Sequence, residues 1–455
     1  MAKNNQKSLD MTQGSITKSI LMFAIPLFLG NIFQHFYNIV DTAIVGNVLG
    51  DNALAAVGAV SPLYTMVIGF VSGFTNGFSV VLSRMFGASN EENMKKTVAW
   101  SYVLTLIISL TLTFLSMIFL RPILVALNTP AIIIDDSDKY LRIVLMFAVV
   151  TCAYNMLSAL MRAIGNSVVP LYFLIISSLI NGGLDYVFVK MCGFGIAGAA
   201  YATVIAQIIS VVLCMIYIIT KSKLLSFVPS NLKFDKVLVS EMLATGFSMG
   251  LMLVVVSIGS VILQGAVNYL EAEIVAAHTI ARKIDSIFMW TIGTLGIASS
   301  TFSGQNYGAG KMDRVYKGLG NAIGIGMIWS LFSTIMLFLF GRNLIVLISG
   351  TKNDYIVETA FQYIRINVSF FFILTVLIVL RNGLQGMGRK LVPVMASVVE
   401  MLFKFAAVGI ITKKLGYFGV CILEPIIWCV CAAMVLADFI LFIRRKKDGK
   451  AANNY

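Results

Sequence analysis

"DKYLRIVLMF", residues 138–147, returns 223 residues later as "FQYIRINVSF", residues 361–370. Tyr140 falls on Tyr363, Arg142 on Arg365 and Phe147 on Phe370. Three further stretches recur at nearly the same distance. "RAIGNSVVP" (162–170) meets "QGMGRKLVP" (385–393), which sets Gly165 on Gly388 and Pro170 on Pro393. "SRMFGAS" (83–89) meets "GQNYGAG" (304–310), and "FGIAG" (194–198) meets "LGYFG" (415–419). Four separated matches at nearly one offset, 221–223 residues, mean that the chain is built from two related halves.

Composition says what the halves are made of. Of 455 residues, 58% are hydrophobic and 12% charged, with a mean hydropathy of +0.90. Soluble domains carry about 25% charged residues. The chain is therefore read as an all-α membrane protein. Polar and Gly/Pro clusters divide it into twelve spans: 16–48, 53–83, 97–120, 139–161, 168–190, 195–220, 238–270, 274–303, 316–341, 355–381, 391–412 and 417–443. Six spans per half is an even number, so both halves run the same way. That is a parallel repeat about an axis along the membrane normal, a plan used by many secondary transporters. The domain boundaries expected are an N-lobe over 1–219, a linker over 220–237, a C-lobe over 238–443 and a basic tail over 444–455.

Charge gives the orientation. Of 34 Lys and Arg, 22 fall on the side that holds both termini, seven on the other and five within spans. The positive-inside rule then places both termini in the cytoplasm. The net charge of +13 follows from this topology, so no nucleic-acid partner is implied. The tail "RRKKDGK" (444–450) reads as a lipid-surface anchor on the bilayer.

The spans hold few charges, and those few carry the chemistry. From Ile16 to Leu49 the only charges are Lys18 and Asp41. A lone carboxylate in hydrocarbon is costly and marks a functional site. Asp185, on span 5, is the other deep acid of the first half. Asn181 lies one turn before it, and Thr203, on span 6, reaches a similar depth by its rise per residue. Gln34, Tyr37, Asn38 and Asp41 share one side of span 1. Asn155 and Gln207 add amides to the same cavity. Two buried carboxylates do not both ionise cheaply, so the pair is expected to hold a proton near neutral pH. The same oxygens, with the Asn181 amide and the Thr203 hydroxyl, also suit a hard monovalent cation such as Na⁺. The competing structural reading pairs the acids with a buried base, for which Arg142 is available. Pro26, fifteen residues before Asp41, removes a backbone hydrogen bond and makes span 1 a candidate hinge.

In the second half Glu400 and Lys404 stand at i, i+4 on span 11, and Glu424 precedes Pro425 on span 12. Buried opposite charges usually pair, so a charge cluster is expected here. Arg282, Lys283 and Asp285 on span 8 are available to pair likewise. With only His35 and His278 present, a transition-metal site is not expected. The chain has no Gly-rich phosphate loop ending in Lys-Ser/Thr and no HExxH. It is therefore read as neither an enzyme nor an ATP-driven pump, with no cofactor and with H⁺ or Na⁺ as the coupling ion.

The stretches "AIPLFLGNIFQHFYNIVDTAIVG" (24–46), "NGGLDYVF" (181–188) and "GIAGAAYATVIAQ" (195–207), the paired "FGAS"/"YGAG" segments and the six-plus-six repeat resemble the multidrug and toxin extrusion (MATE) family, in its bacterial DinF/MepA-like branch. The resemblance covers essentially the whole chain. It implies a V-shaped pair of six-helix bundles in the bacterial inner membrane that exports organic cations and drugs by alternating access in exchange for H⁺ or Na⁺. It maps ion-coupling residues onto Asp41, Asn181, Asp185 and Thr203, places Gln34, Tyr37 and Asn155 nearby, and maps helix bending onto Pro26. A monomer is expected. The chain departs from the Na⁺-dependent NorM pattern: no acid lies between Glu241 and Glu271 in span 7 or after Glu358 in span 10. The coupling site is therefore expected in the first half. A flippase for lipid-linked saccharides is the alternative. It calls for Lys or Arg in the cavity, and Lys404 is the one residue of that kind.

Overall fold

The structure, a computed structural model, describes residues 9–447 apart from the side chains at 38, 407–413, 446 and 447. Lys3, Lys7 and residues 448–455 of the basic tail lie outside the described residues. Within them the regular structure is helical. In order these are α1 (Ile16–Leu49), α2 (Asp51–Gly87), α3 (Glu91–Ala126), α4 (Ile134–Met146), α5 (Ala148–Ala163), α6 (Val168–Asp185) and α7 (Ile196–Lys221). They continue with α8 (Lys236–Val267), α9 (Ala272–Gly308), α10 (Met312–Ser349), α11 (Asp354–Val368), α12 (Phe371–Gly386) and α13 (Leu391–Lys447). Long apolar runs take this form because a helix satisfies each backbone N–H and C=O internally, which hydrocarbon demands. Starts are set by polar caps: the side chains of Asn90 and Asn353 accept from the backbone N–H of Asn93 and Tyr355.

Eight of these helices are long and apolar enough to cross a membrane, and two bent pairs raise the number to ten. Expected span 4 is α4 and α5, bent by 50° at Phe147; expected span 10 is α11 and α12, bent by the same 50° beside Phe370. The expected span 8, now α9, falls short on composition. Its first half carries Arg282, Lys283 and Asp285, and its second half is rich in Ser and Thr. Expected spans 11 and 12 are joined as α13, broken in backbone conformation at Gly416.

The duplication is visible in the backbone. Left-handed φ values recur at repeat-related positions: Gly165 (+85°) with Gly388 (+84°), Gly195 (+60°) with Gly416 (+56°) and Ser89 (+53°) with Gly310 (+71°). Each pair lies in one of the stretches that match in sequence.

Contacts group the chain into two units, one with Ile25–Gly250 and the other with Met11–Ala24 and the chain from Leu251 on. The division therefore falls inside α8 rather than at the expected 220–237 linker. That segment is docked in the first unit. The Trp100 indole donates to the Lys233 carbonyl at 3.1 Å, Tyr102 donates to the Leu225 carbonyl at 3.2 Å, and Phe234 and Phe227 pack on the same two rings.

The first half of α8 belongs to the first unit because of glycines. Gly73 and Gly77 on α2 face Gly246 and Gly250 on α8, two GxxxG motifs in contact. A Cβ at Gly77 would lie 2.5 Å from the Gly246 Cα, and one at Gly73 would lie 2.5 Å from the Met249 carbonyl oxygen. Small residues let the backbones approach. Phe70, Phe74 and Phe247 pack around the crossing, Phe70 stacked on Phe74 and Phe247 edge-on to it, and Arg84 pairs with Glu241 at 2.6 Å. A second buried cluster, including Leu82, Val98, Met156, Leu160 and Ile218, joins α2, α3, α5 and α7.

In the second unit the segment before α1 is clamped. The Met11 N–H donates to Gln305 at 3.0 Å. Its carbonyl accepts from Asn306 and Arg314, both at 3.1 Å, and Lys311 donates to the Thr12 carbonyl at 2.9 Å.

Candidate functional site

The first unit brings Asp41, Asn181, Asp185 and Thr203 together. Asp41 is carried by α1, Asn181 and Asp185 by α6 one turn apart, and Thr203 by α7. All four are buried. The Asp41 and Asp185 carboxyls act directly on one another. Thr203 Oγ1 lies 3.3 Å from the Tyr37 hydroxyl and accepts from Asn181 Nδ2 at 3.5 Å. Asp41 Oδ1, Asn181 Oδ1 and both oxygens of Asp185 are buried with no hydrogen-bond partner among the described residues. A buried acceptor without a donor costs about 1–3 kcal/mol. Four of them converging make an oxygen-lined site of a kind that takes a proton or a hard monovalent cation. No group of three or more His, Cys, Asp or Glu able to hold a metal occurs among the described residues.

Local structure helps to aim Asp185. It ends the regular part of α6, and the chain continues as a π-helical segment, Tyr186–Met191. Such widened turns change the direction of a helix and recur at functional sites. Gly182 and Gly183 precede it.

A second polar layer lies one turn along α7. Thr151 donates to Gln207, and the Asn155 side chain donates to the Thr151 carbonyl at 2.9 Å. Two tyrosines that sequence reasoning missed complete the surroundings. Tyr64, on α2, bonds Gln207 and lies near Asp41; Tyr140, on α4, faces Asp41, Asp185, Tyr37 and Tyr64. Tyr140 was visible as the repeat mate of Tyr363, although nothing local marked it as a site residue. Gln34 is exposed, one turn before Tyr37 on α1. The side chain of Asn38 lies outside the described residues.

The structural reading that paired these acids with Arg142 does not hold. Arg142 is engaged by Asp138 on its own helix, at 2.8 Å and 2.9 Å. It also donates to the Met117 carbonyl at 3.1 Å.

In the second unit Glu400, Lys404 and Glu424 do meet. Lys404 Nζ lies 3.0 Å from Glu400 and 3.7 Å from Glu424. Arg282 joins them, with Nη1 at 2.8 Å and 2.9 Å from the two Glu424 oxygens, and the Tyr363 hydroxyl donates to Glu424 at 3.2 Å. The Lys404 stem rests on Gly259, where a Cβ would lie 2.8 Å from Lys404 Cδ.

Duplicated helical halves and a buried carboxylate pair with no base paired to it among the described residues define a class, the helical membrane transporters built from parallel repeats. More narrowly, the MatE family profile matches residues 26–187 and 248–408, and the chain belongs to this family of multidrug efflux transporters. Among its relatives, the probable multidrug resistance protein YoeA of Bacillus subtilis (strain 168) is 31% identical over 340 residues, 73% of each chain. The probable multidrug resistance protein YpnP of the same organism is 27% identical over 91% of this chain and 92% of its own. A solved multidrug resistance MATE family transporter in its outward-facing conformation shares the fold, with a TM-score of 0.90 at 21% identity over 99% of this chain and 100% of that one.

Proposed function

We propose that the protein exports cationic, amphipathic compounds by secondary antiport, driven by H⁺ or Na⁺ bound at Asp41, Asn181, Asp185 and Thr203. The observation that carries this reading is the set of four unpartnered buried oxygens around two carboxylates. An entering ion offsets their cost and a departing ion restores it, so occupancy is tied to conformation. The family supports export of drugs, and the acidic character of the site supports cations as cargo. Pro26 is the proposed hinge. It stands two residues beyond Ala24, where α1 leaves one unit for the other. The proposed topology has both termini in the cytoplasm. A flippase role for Lys404 gains no support, because two carboxylates already engage its ammonium.

The test is efflux of tetraphenylphosphonium from proteoliposomes with a pH gradient and a Na⁺ gradient imposed separately. Export under one gradient and not the other names the ion. Export under neither, by protein that is folded by its melting curve, would overturn antiport.

A further inference from the structure

Beside the Glu424 cluster of the second unit lies a buried carboxylate with no ion pair of its own among the described residues, Asp285. Lys404 faces Glu400 and Glu424, the buried Arg381 acts on Glu400, and Arg282 is held by both oxygens of Glu424, whose shell Tyr363 completes. Asp285 follows Arg282 by three residues on α9, so the two share a face. It is 1% exposed, and its Oδ1 has no hydrogen-bond partner. The groups that act on it are Arg282 on its own helix, Glu424 from α13 and Tyr363 from α11. Behind them His278 packs edge-on to the Tyr363 ring. An ionised Asp285 would be a second buried carboxylate beside Glu424, dependent on the one guanidinium, Arg282, that both oxygens of Glu424 already hold.

We propose that Asp285 is a proton-exchange site, distinct from the Asp41–Asp185 pair, that competes with Glu424 for Arg282. With its carboxyl protonated, Asp285 is neutral and the Arg282–Glu424 pair stays closed. When the O–H proton leaves to water, the new carboxylate attracts the guanidinium one helical turn along α9. The side chain of Arg282 is 32% exposed, which leaves its head room to turn. Glu424 is then held only by Lys404 and Tyr363, and one of its oxygens is free for a cationic group. Proton loss at Asp285 and cation binding at Glu424 favour each other, and linkage makes the effect reciprocal. The role in export rests on the antiport reading above, whereas the protonation of Asp285 does not.

The experiment separates the two. Infrared spectra of the purified full chain at neutral pH are compared for wild type and Asp285→Asn. The expected result is a carboxylic-acid C=O band in wild type that Asp285→Asn lacks. Melting should be unchanged in this variant, because an amide replaces a neutral acid of the same shape, whereas Glu424→Gln should melt lower by stranding Arg282. Binding of tetraphenylphosphonium should release one proton fewer per cation in Asp285→Asn than in wild type. Equal carboxylic-acid absorbance in the two proteins would overturn the proposal, as would an Asp285→Asn melting drop matching that of Glu424→Gln. Absence of gradient-driven efflux with the infrared band present would count against antiport and leave the Asp285 site standing.

Discussion

At Asp41 and Asp185 burial and function pull in opposite directions. Neither carboxyl is there for stability, since three of their oxygens lack donors. Replacing either by Asn keeps the shape and removes a charge that nothing compensates. Asp41→Asn and Asp185→Asn should each abolish gradient-driven efflux from proteoliposomes while melting no lower than wild type. Wild-type efflux in either variant would place the coupling elsewhere. Glu424 is the opposite case. Its carboxylate is shared by Arg282, Lys404 and Tyr363. Glu424→Gln takes from Arg282 its paired carboxylate, while Lys404 keeps Glu400 at 3.0 Å, and its cost should be roughly 3–5 kcal/mol, seen as a lower Tm. Adding Arg282→Met removes the stranded cation and should recover part of that loss. A Glu424→Gln protein as stable as wild type would show that the cluster is solvated rather than paired.

Helices impose their own constraints. At the α2–α8 crossing the glycines are required by distance, because a Cβ at Gly77 would fall 2.5 Å from the Gly246 backbone. Gly77→Val should force the helices apart and lower Tm and yield. Gly58 lies on the same helix with nothing within 4 Å of its would-be Cβ. Gly58→Ala should therefore be neutral or stabilising by about 0.5–1 kcal/mol, the usual gain for Gly to Ala in a helix interior. If both variants melt alike, the crossing is not held by close approach. On α1, Pro26 withholds the N–H that would bond the Met22 carbonyl. Pro26→Ala restores it and should straighten and stiffen the helix. Substrate affinity should persist while turnover slows, which binding and efflux measured on one preparation would show. Unchanged turnover would leave the proline a structural kink.

Across the whole molecule, the earliest described residues are read by residues about three hundred positions later. Arg314 donates to the carbonyls of Met11 and Gln13 at 3.1 Å and of Gly14 at 3.0 Å. No local pattern in residues 11–14 calls for such a partner. Arg314→Ala should free this segment, and limited proteolysis should cleave within residues 9–15 several-fold faster than in wild type. Equal cleavage rates would mean that Gln305, Asn306 and Lys311 suffice to hold it.

The sequence by itself determined the helical membrane architecture and its duplication. Both rest on properties that act locally. Hydrocarbon demands long apolar helices, and a bend or a left-handed φ demands its own residue wherever it recurs. That is why Phe147 with Phe370, Gly165 with Gly388 and Gly195 with Gly416 matched in sequence and again in backbone geometry. Asp41 and Asp185 were legible for a related reason: a charge in an apolar run is expensive enough to stand out alone. Only the tertiary structure decided the company these residues keep. Tyr64 and Tyr140 beside the carboxylates, the π-helical segment after Asp185, Arg282 on Glu424 and the place of Asp285 beside that pair depend on which helix faces meet. A face pairing between residues more than a hundred positions apart leaves no period or spacing in the chain, because it is fixed by the packing of whole helices.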